Sequence, residues 1–551
     1  TQTGLQVRFS RVDGEWTRAS PELHFSQLVV SDPLSVNSRP LLADLFSVRV
    51  SLGTSLVSGA PRLKVKLEGA DVRLERCDDA FCLMGRRLQS KTTSAPQNPF
   101  AFLLAKPRLS ILHSRVVVDG LYEQPTEASI SELKLVWDHE RALLDGNARL
   151  HGPDDMQVTL KGALDVSPRN GGNVHGVTYL KLSQGLLPKW IPASLSDTIP
   201  LHLQGAQGDT ELWLTWFDNA LASSTLRFDL HDVALFPDRD QRQVVDRVAG
   251  IAHWQGQIND FWQLGLRDLT IEYGQIKWRP AKLQLNAVHD ANENRWNYSL
   301  ALEDFSFDSG LRPVLDLVPE NSLREILQSL QPTGRLQDVY VKIQHDPQGW
   351  ALVQAQGLLR EYSQHPMKWI PGLNNAGGGF LLEGKQVWLD FDEKALTLDY
   401  PAIFREPLQL NRVQGSLGIR WGDDGIFVRS SPLLVDTPYG ETVTRMSLAL
   451  PSESTGIAPS LALQSTLRNV AAEHASLYLP AGILSPSLLG WLDGAIQGGR
   501  LKQGDIIVNG PLHRPDQDGA RSVLLGFQVE AGKLQFLPEW KEPIQQLDAD
   551  V

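Results

Sequence analysis

Two cysteines are the residues with the clearest potential for chemistry in this chain of 551 residues. Cys77 and Cys82 stand in the stretch VRLERCDDAFCLMG, where residues 78–81 read as a four-residue hairpin loop between two short strands. Such a loop predicts that the two sulfur atoms lie across from each other, and in an oxidising compartment they would form a disulfide. Two free thiols are the alternative, and both readings stay open.

Motifs for catalysis and metal binding are missing from the sequence. It contains no nucleophile elbow, zinc-protease motif, phosphate-binding loop or Cys-x-x-Cys pair. The 13 histidines show no ligand spacing. The acidic stretches LDFDEK and WGDDG lack the spacing of a calcium loop, so we interpret them as solvated faces and turns. We therefore predict a protein that is not an enzyme, with no catalytic residue, metal or cofactor.

The composition indicates a folded protein that is too long for one core. Hydrophobic residues make up 42% of the chain and charged residues 21%, as in ordered proteins, and the length predicts several domains or a repeat. The net charge of −12 argues against binding to nucleic acid and against a polybasic grip on anionic membranes. No apolar run reaches the roughly 18 residues of a membrane span. Both ends lie within strand-like patterns, so we expect a piece of a longer protein.

Apolar and polar residues alternate along most of the chain, which predicts antiparallel strands with one apolar face and one wet face. In 413–421, the wet face carries Gln414, Ser416 and Arg420. The residues predicted for the apolar face are Leu63, Val65, Leu67, Val72, Leu74, Leu226, Phe228, Leu230, Val387, Leu389, Phe391, Val413, Leu417, Ile419, Trp421, Leu448, Leu450, Val523, Leu525, Phe527 and Val529.

Two short amphipathic helices are predicted within this pattern, near 322–331 and near 486–497. Ser485 followed by Pro486 is a typical start for the second helix, and we expect Asp493 on its wet side. The apolar stripes consist of Leu323, Ile326, Leu327 and Leu330 in the first helix and Leu488, Trp491, Leu492 and Ile496 in the second.

The two helices belong to two copies of one repeat. An offset of 165 residues relates Arg335 to Arg500, both in the sequence GRL, and it also relates Leu302 to Leu467. From this offset we predict four regions. They are an N-terminal β segment at 1–150, a β segment at 151–246 with some likeness to a shortened repeat, and repeats at 247–411 and 412–551.

The shortage of helices predicts the fold, because two helices cannot cover the apolar faces of so many strands. A sandwich or barrel would close the sheet but would not explain a long repeat with one helix per unit. We therefore predict a mostly β protein, in which a long, curled antiparallel sheet forms an elongated apolar groove. The few short helices would lie in this groove as plugs or lids. Acyl chains would suit the groove, since each buried CH₂ contributes about 0.8 kcal/mol.

The stretch LYLPAGILSPSLLGWLDGAIQGGRLKQGDIIVNGPL resembles the signature of YhdP-type proteins, members of the AsmA-like group related to TamB. The stretches GAPRLKVKLEGADVRLER and GKLQFLPEWKEPIQQLDADV resemble other segments of the family. The resemblance implies a long periplasmic body, anchored in the inner membrane by a segment that precedes residue 1. It also implies a β-groove that carries phospholipid between the inner and outer membranes, and no catalytic residues.

Three functions follow from these patterns. The first is a periplasmic lipid conduit, and the second is a scaffold of the same family that assists outer-membrane assembly without transport. The third is a β-solenoid that acts on polysaccharide, but the sequence lacks the repeated strip of carboxylates and aromatics that this function needs. The expected partners are phospholipid and, through regions outside this sequence, the two membranes. Nucleic acid is not expected, and no protein partner is indicated.

Overall fold

A computed structural model describes residues 5–17, 20–32, 39–53, 55, 62–77, 80–84, 86–87, 106, 108–119, 126–151, 155–166, 173–186, 202–236, 243–257, 260–279, 282–317, 322–367, 370–482, 484–512, 521–537, 539 and 542–550. The chain divides into two compact units, Thr1–Arg279 and Pro280–Val551. This division lies inside the region 247–411, and the four predicted regions remain predictions.

The first unit is a sheet of mostly antiparallel strands. Its strands are β1 Gln6–Arg8, β2 Arg11–Thr17, β3 Ser20–Ser31, β4 Leu41–Val50, β5 Leu63–Glu68, β6 Asp71–Cys77, β7 Ala80–Leu83, β8 Arg86–Arg87, β9 Arg108–Asp119, β10 Thr126–Asp138, β11 Arg141–His151, β12 Met156–Val166, β13 Val174–Leu186, β14 His202–Phe217, β15 Ala220–Phe236, β16 Gln243–Gln257, β17 Phe261–Tyr273 and β18 Ile276–Trp278. β5 and β6 pair with β9 in parallel. From β9 to β18, each strand pairs with the next in antiparallel fashion.

The second unit is an antiparallel meander. Its strands are β19 Lys282–Asp290, β20 Arg295–Ser306, β21 Thr333–Asp346, β22 Gly349–Gln364, β23 Gly372–Glu383, β24 Gln386–Asp399, β25 Leu408–Gly422, β26 Gly425–Ser430, β27 Leu433–Thr437, β28 Gly440–Pro451, β29 Ser460–Ala471, β30 Ile496–Pro511, β31 Ser522–Leu534 and β32 Ile544–Asp550. Successive strands pair, except that β26 and β27 share one position, each pairing with both β25 and β28.

Four α-helices interrupt the described part of the second unit. They are α1 Phe307–Leu317, α2 Ser322–Leu330, α3 Ala475–Tyr478 and α4 Pro486–Ala495, and two short 3₁₀ helices lie at Glu453–Thr455 and Ala472–His474. α2 and α4 lie where helices were predicted, whereas α1 and α3 were missed. Ser485 caps α4 through a bond from the amide of Leu488. Ile496 is extended and begins β30, so its assignment to the helical stripe was wrong.

The strands of this second sheet end in two rows, and the connections differ between them. We call each row of strand ends an edge, in a sense distinct from an outermost strand. One edge, which we call the hairpin edge, has the turns 290–295, 346–349, 383–386 and 422–425 and the longer connection 451–460. These turns are polar: Asp346, for example, accepts bonds from the amides of Gln348 and Gly349. The opposite edge, the helix edge, has the connections 306–333, 364–372, 399–408 and 471–496. All four α-helices of the described part therefore lie at one edge.

A row of β-bulges runs close to the helix edge. Glu361 on β22, Asn375 on β23 and Ala395 on β24 have left-handed backbones, with φ of 50°, 60° and 59°. The pairing register between β22 and β23 shifts around the first two positions, and the register between β23 and β24 shifts across the stretch that contains Ala395. Because a bulge bends its strand and increases the local twist, the end of the sheet toward the helix edge turns away from the plane of the rest.

A core of the second unit lies around these bulges, near the helix edge. We call it the edge core; its buried residues are Ala376, Leu396, Leu408, Leu410 and Val413, and Tyr362, Leu373, Phe391, Leu398, Phe404, Val435 and Tyr478 pack against them. The first unit has three cores, which contain Leu135, Leu28 and Val233 respectively. The described structure confirms a mostly β fold with long antiparallel sheet and few short helices.

Candidate functional site

The candidate site is one continuous apolar face on the sheet of the second unit. Paired residues of neighbouring antiparallel strands share a face and have adjacent side chains. Val387 pairs with Ile419, which pairs with Val428. Leu448 and Leu461 continue this row on the next two strands.

Two further rows run beside the first across the same face. Trp421, Ile426 and Leu450 form the row nearer the hairpin edge, and Leu389 pairs with Leu417 on the other side. The face continues to β31, where Val508 pairs with Val523 and Ile506 with Leu525. Phe527 lies opposite Gly504, and a Cβ on that glycine would meet the phenylalanine ring at 2.9 Å.

The opposite face of the same sheet carries polar groups on β25. Arg420 is exposed, bonds to both carboxylate oxygens of Asp424 at 2.9 and 3.1 Å, and lies over the ring of Phe427. The Arg420 guanidinium holds the pKa of the Asp424 carboxyl below its usual value, mainly through this hydrogen bond. Gln414 is also exposed. Around Arg420 the sheet is therefore amphipathic, with the charges of Arg420 and Asp424 on the side away from the apolar rows.

The first unit has a comparable apolar face. Leu212 pairs with Leu226, and Leu226 pairs with Ala252. Phe228 lies against Gly250, and Leu230 packs on the core around Val233. The predicted residues Val65, Leu67, Val72 and Leu74 are half-buried and Leu63 is exposed; Leu67 and Val72 pack on the core around Leu28.

The polar face of the first unit carries ion pairs. Arg247 donates two hydrogen bonds to Asp229, at 2.7 and 2.8 Å. The hydrogen bond from Arg247 is the largest cause that lowers the pKa of Asp229. Arg247 also approaches Glu272, which pairs with Lys277.

Burial across the apolar face of the second unit follows a gradient. Near the helix edge, Val413 is 7% exposed and belongs to the edge core. Near the hairpin edge, Trp421 is 37% exposed and Leu525 is 53% exposed. The predicted groove residues therefore divide into core residues and residues of an open apolar surface. Sequence alternation does not separate these two classes. It indicates on which face of the sheet a residue lies, but not whether another segment of the chain packs over that residue.

Several residues of this face were missed from the sequence. Ile426, Val428, Leu461 and Val508 belong to the rows described above, and their alternation was the available signal. Leu408 and Leu410 are buried in the edge core together with Val413, although they stand at positions of opposite parity on β25. A strict period of two cannot predict both sets.

The predicted plug residues of α4 are only partly covered. Leu488 is exposed, Leu492 is half-buried, and Trp491 is 39% exposed. The indole Nε1 of Trp491 donates to the backbone oxygen of Phe536 at 2.9 Å, and the two rings meet edge to face at 5.9 Å. Asp493 lies on the exposed side of α4, as expected, and it also accepts two bonds from Arg405 at 2.6 and 3.1 Å.

The predicted plug residues of α2 differ among themselves. Leu330 is buried, Leu327 is half-buried and Ile326 is exposed, while the side chain of Leu323 lies outside the described residues. The backbone oxygen of Leu330 accepts a bond from the amide of His365 at 2.8 Å. The C-terminal end of α2 is therefore fixed to the connection between β22 and β23.

The chain around α3 covers the edge core. Tyr478 packs on this core and donates to Thr437 Oγ1 at 2.9 Å. Burial raises the pKa of the Tyr478 hydroxyl, and it does the same for Tyr362. The amide of Gly482 bonds to the oxygen of Ile403 at 3.0 Å. The helical connection after β29 thus closes the end of the apolar face at the helix edge.

The cysteine hairpin is tighter than predicted. Cys77 pairs with Ala80 and Glu75 pairs with Cys82, so the strands leave only 78–79 between them and the two cysteines are not directly opposite. Cys82 is buried and disulfide-bonded. The side chain of Cys77 lies outside the described residues, and its pairing with Cys82 stays a prediction.

One group of side chains in the described part has the spacing for a metal: Glu15, Glu22 and His24, with ligand atoms within 4.8 Å of one another. Protein partners already occupy it. Arg49 pairs with Glu22, and His24 Nδ1 lies 2.8 Å from Ser47 Oγ. The group therefore gives no independent sign of a bound ion. Among the described helices, none is long and apolar enough to cross a membrane.

Comparison with known proteins decides the family. The sequence model of the family described as "YhdP protein" matches residues 1–551. The chain belongs to the YhdP family. A curated relative, the "Intermembrane phospholipid transporter YhdP" of Escherichia coli (strain K12), is 21% identical over 426 residues.

The aligned region covers 76% of this chain and 33% of the curated family member, so the chain spans about a third of the length of that relative. No solved structure matches. The relative is named a transporter, which agrees with the prediction that the chain is not an enzyme.

Proposed function

We propose that this chain forms part of a conduit that carries phospholipids between the inner and outer membranes. The observation that carries the proposal is the apolar face of the second unit, which remains open toward the hairpin edge. The name of the curated relative supports phospholipid as the cargo. In this proposal the chain lies in the periplasm, and a segment outside the sequence anchors it in the inner membrane.

An exposed apolar surface of this extent is rare on a protein without a ligand or partner. Acyl chains would cover it, at a gain of about 0.8 kcal/mol per buried CH₂. Because this gain does not depend on direction, a lipid can move from one apolar row to the next without passing a deep energy minimum. The parallel rows through Ile419 and Trp421 provide such a sequence of equivalent contacts.

The bulges supply the curvature that a groove needs. Those at Glu361, Asn375 and Ala395 bend successive strands at similar distances from the helix edge. The bent part, closed by α3 and its neighbours, would form one wall of the groove, and the flat apolar rows would form its floor. The hairpin edge would remain the open side.

The direct test is to extract the purified chain with organic solvent and identify the lipids by mass spectrometry. We expect phospholipids in the extract, and we expect delipidated protein to take up phospholipid from vesicles. A folded chain that carries no lipid and takes up none would contradict the proposal. It would favour the scaffold role within the same family.

A matched pair of variants separates the apolar face from the polar face. Ile419→Glu places a carboxylate in the central apolar row, where an unpaired charge costs several kcal/mol when lipid covers it. Gln414→Glu adds the same charge to the polar face of the same strand. We expect Ile419→Glu to reduce lipid uptake strongly and Gln414→Glu to leave it unchanged. Equal uptake by both variants would contradict the lipid-bearing role of this face.

A further inference from the structure

Three tryptophans stand on the apolar face of the second unit next to its hairpin edge. Trp296 follows the turn 291–294, Trp350 follows the turn after Asp346, and Trp421 precedes the turn 423–424. Trp296 and Trp350 both pair with His345, and they lie on the same face as the apolar pair of Leu300 and Val341. Trp421 lies in the row of Ile426 and Leu450.

Two of these tryptophans belong to one aromatic patch, formed by His289, Trp296, Tyr298, His345 and Trp350. The ring centroids of His289 and Trp296 lie 4.8 Å apart, those of Tyr298 and Trp350 5.4 Å, and those of His345 and Trp350 4.4 Å. Trp350 is nevertheless 67% exposed. The patch is therefore held together by ring contacts while it presents a large indole to the surroundings.

Three aromatic residues near the helix edge have a different environment. Tyr362, Phe404 and Tyr478 pack against the edge core. The apolar face is thus closed at one edge and open at the other, and Trp350 lies at the open edge. Core packing accounts for the first group but not for the position of Trp350.

Tryptophan combines a broad apolar ring with one N–H donor, and for this reason it concentrates where apolar and wet surroundings meet. A phospholipid has the same boundary at its glycerol esters, between the acyl chains and the phosphate. On the basis of the proposed function, we propose that the aromatic patch holds the glycerol and phosphate region of a phospholipid. The acyl chains then lie along the apolar rows toward the helix edge, and the head group projects past the hairpin turns.

The test measures which part of a lipid lies next to Trp350. Tryptophan fluorescence of the full chain is recorded with phospholipids that carry a nitroxide quencher on the head group, and separately with phospholipids that carry it at the end of an acyl chain. Subtracting the signal of Trp350→Phe isolates the contribution of this residue. We expect the head-group label to quench this contribution several-fold more strongly than the chain-end label.

Trp388 provides the matched control. It is near the same edge and 39% exposed, but it pairs with Gly418 on the polar face, where its ring would lie 2.4 Å from a Cβ on that glycine. The contribution removed by Trp388→Phe should be insensitive to both labels. Trp296→Phe provides a second reading within the patch and should follow Trp350→Phe.

The outcomes separate this inference from the proposed function. Quenching of Trp350 by the chain-end label as strongly as by the head-group label would overturn the orientation, while lipid binding would stand. Quenching of Trp388 equal to that of Trp350 would overturn the assignment to the apolar face. An absence of quenching together with an absence of bound lipid would overturn both proposals.

Discussion

Trp491 is fixed by one hydrogen bond and an edge contact more than by burial. Its indole donates to the oxygen of Phe536 while much of the ring remains exposed. We expect Trp491→Phe to lower the free energy of unfolding by about 1 kcal/mol, the usual contribution of one hydrogen bond. Trp491→Ala should cost somewhat more, but less than the roughly 3–5 kcal/mol of a buried aromatic. Urea unfolding measures both, and a full buried-aromatic loss would show that α4 packs more deeply than described.

The cysteine pair gives a second prediction for single residues. We expect Cys77 and Cys82 to be bonded to each other in protein from an oxidising compartment. Alkylation of the non-reduced, unfolded chain should modify neither residue, and prior reduction should expose both. The loop is short, so the gain in stability from its closure should be modest. Modification of both thiols without reduction would refute the pairing.

Some residue roles were accessible from the sequence and others were not. Alternation placed Ile419 and Arg420 on opposite faces, because the period of a strand is independent of its neighbours. Alternation did not predict that Val413 is buried in the core and that Trp421 is exposed. Burial depends on which distant segment packs over each end of the strand. The edge core needs Tyr478, which stands far from β25 in sequence.

At the scale of elements, α4 is tethered by the pair of Arg405 and Asp493. The hydrogen bond that Arg405 donates to Asp493 raises the pKa of the Arg405 guanidinium, and both side chains are about one-third exposed. Exposed pairs of this kind contribute little to stability, because water and salt screen them. We expect Asp493→Asn to speed amide hydrogen exchange within 488–495 by a few-fold while exchange in β25 stays unchanged. If the pair tethers α4, the double variant Asp493→Asn, Arg405→Ala should exchange little faster in 488–495 than Asp493→Asn alone.

The bulge on β24 predicts an unusual effect of glycine. Ala395 is exposed and has a φ of 59°, a conformation that costs a residue with a Cβ about 1–2 kcal/mol. Ala395→Gly removes this conformational cost. Part of the gain is offset, because glycine loses more backbone entropy on folding than alanine does. We expect a net stabilisation of about 0.5–1 kcal/mol in urea unfolding.

Ala395→Val should destabilise the second unit, because a β-branched side chain tolerates the left-handed region poorly. The two variants thus bracket the native alanine. Destabilisation by glycine would mean that the bulge is absent in solution.

The helices show what local patterns reveal about elements. α2 and α4 were predictable because both have an apolar stripe with helical spacing, and Ser485 with Pro486 is a typical start for α4. α1 was missed because it begins directly at the end of β20, at Phe307, and contains Pro313 in its sequence. The bulges were equally hidden, since Glu361 and Ala395 are not residues typical of left-handed backbone.

For the whole molecule, carboxylates that pair with arginines predict that the stability of the fold is sensitive to acid. The pKa values of Asp229 and Asp424 are lowered by hydrogen bonds from Arg247 and Arg420. Because the folded pKa lies below the unfolded one, these pairs stabilise the fold above about pH 4, and this contribution is lost as the pH falls through the folded pKa. We expect the midpoint temperature of thermal unfolding to be constant near neutral pH and to decrease when the pH is lowered below about 4.

High salt should weaken this acid dependence, since the pairs are partly exposed and therefore screened. Asp229→Asn should lower the midpoint at neutral pH and have less effect in acid. A midpoint that rises on acidification would contradict the sign of these pKa shifts.

The fold class followed from an argument about the whole chain, namely too many one-faced strands for too few helices. The structure agrees, with long antiparallel sheets in both units. The difference between the hairpin edge and the helix edge was not predictable in the same way. It arises because connections of different length alternate along a meander, and their contacts with the edge core depend on residues such as Phe404 and Tyr478.

The order of strand pairing also has a consequence for synthesis. From β19 to β25, each strand takes as its partner the one that has just preceded it. A newly made strand therefore finds its template already in place, and loop closure costs little because the separation along the chain is small. The sheet can therefore grow from its N-terminal side while the chain is being synthesised. Each new strand can pair with a folded edge strand, so a long unfolded chain need not accumulate.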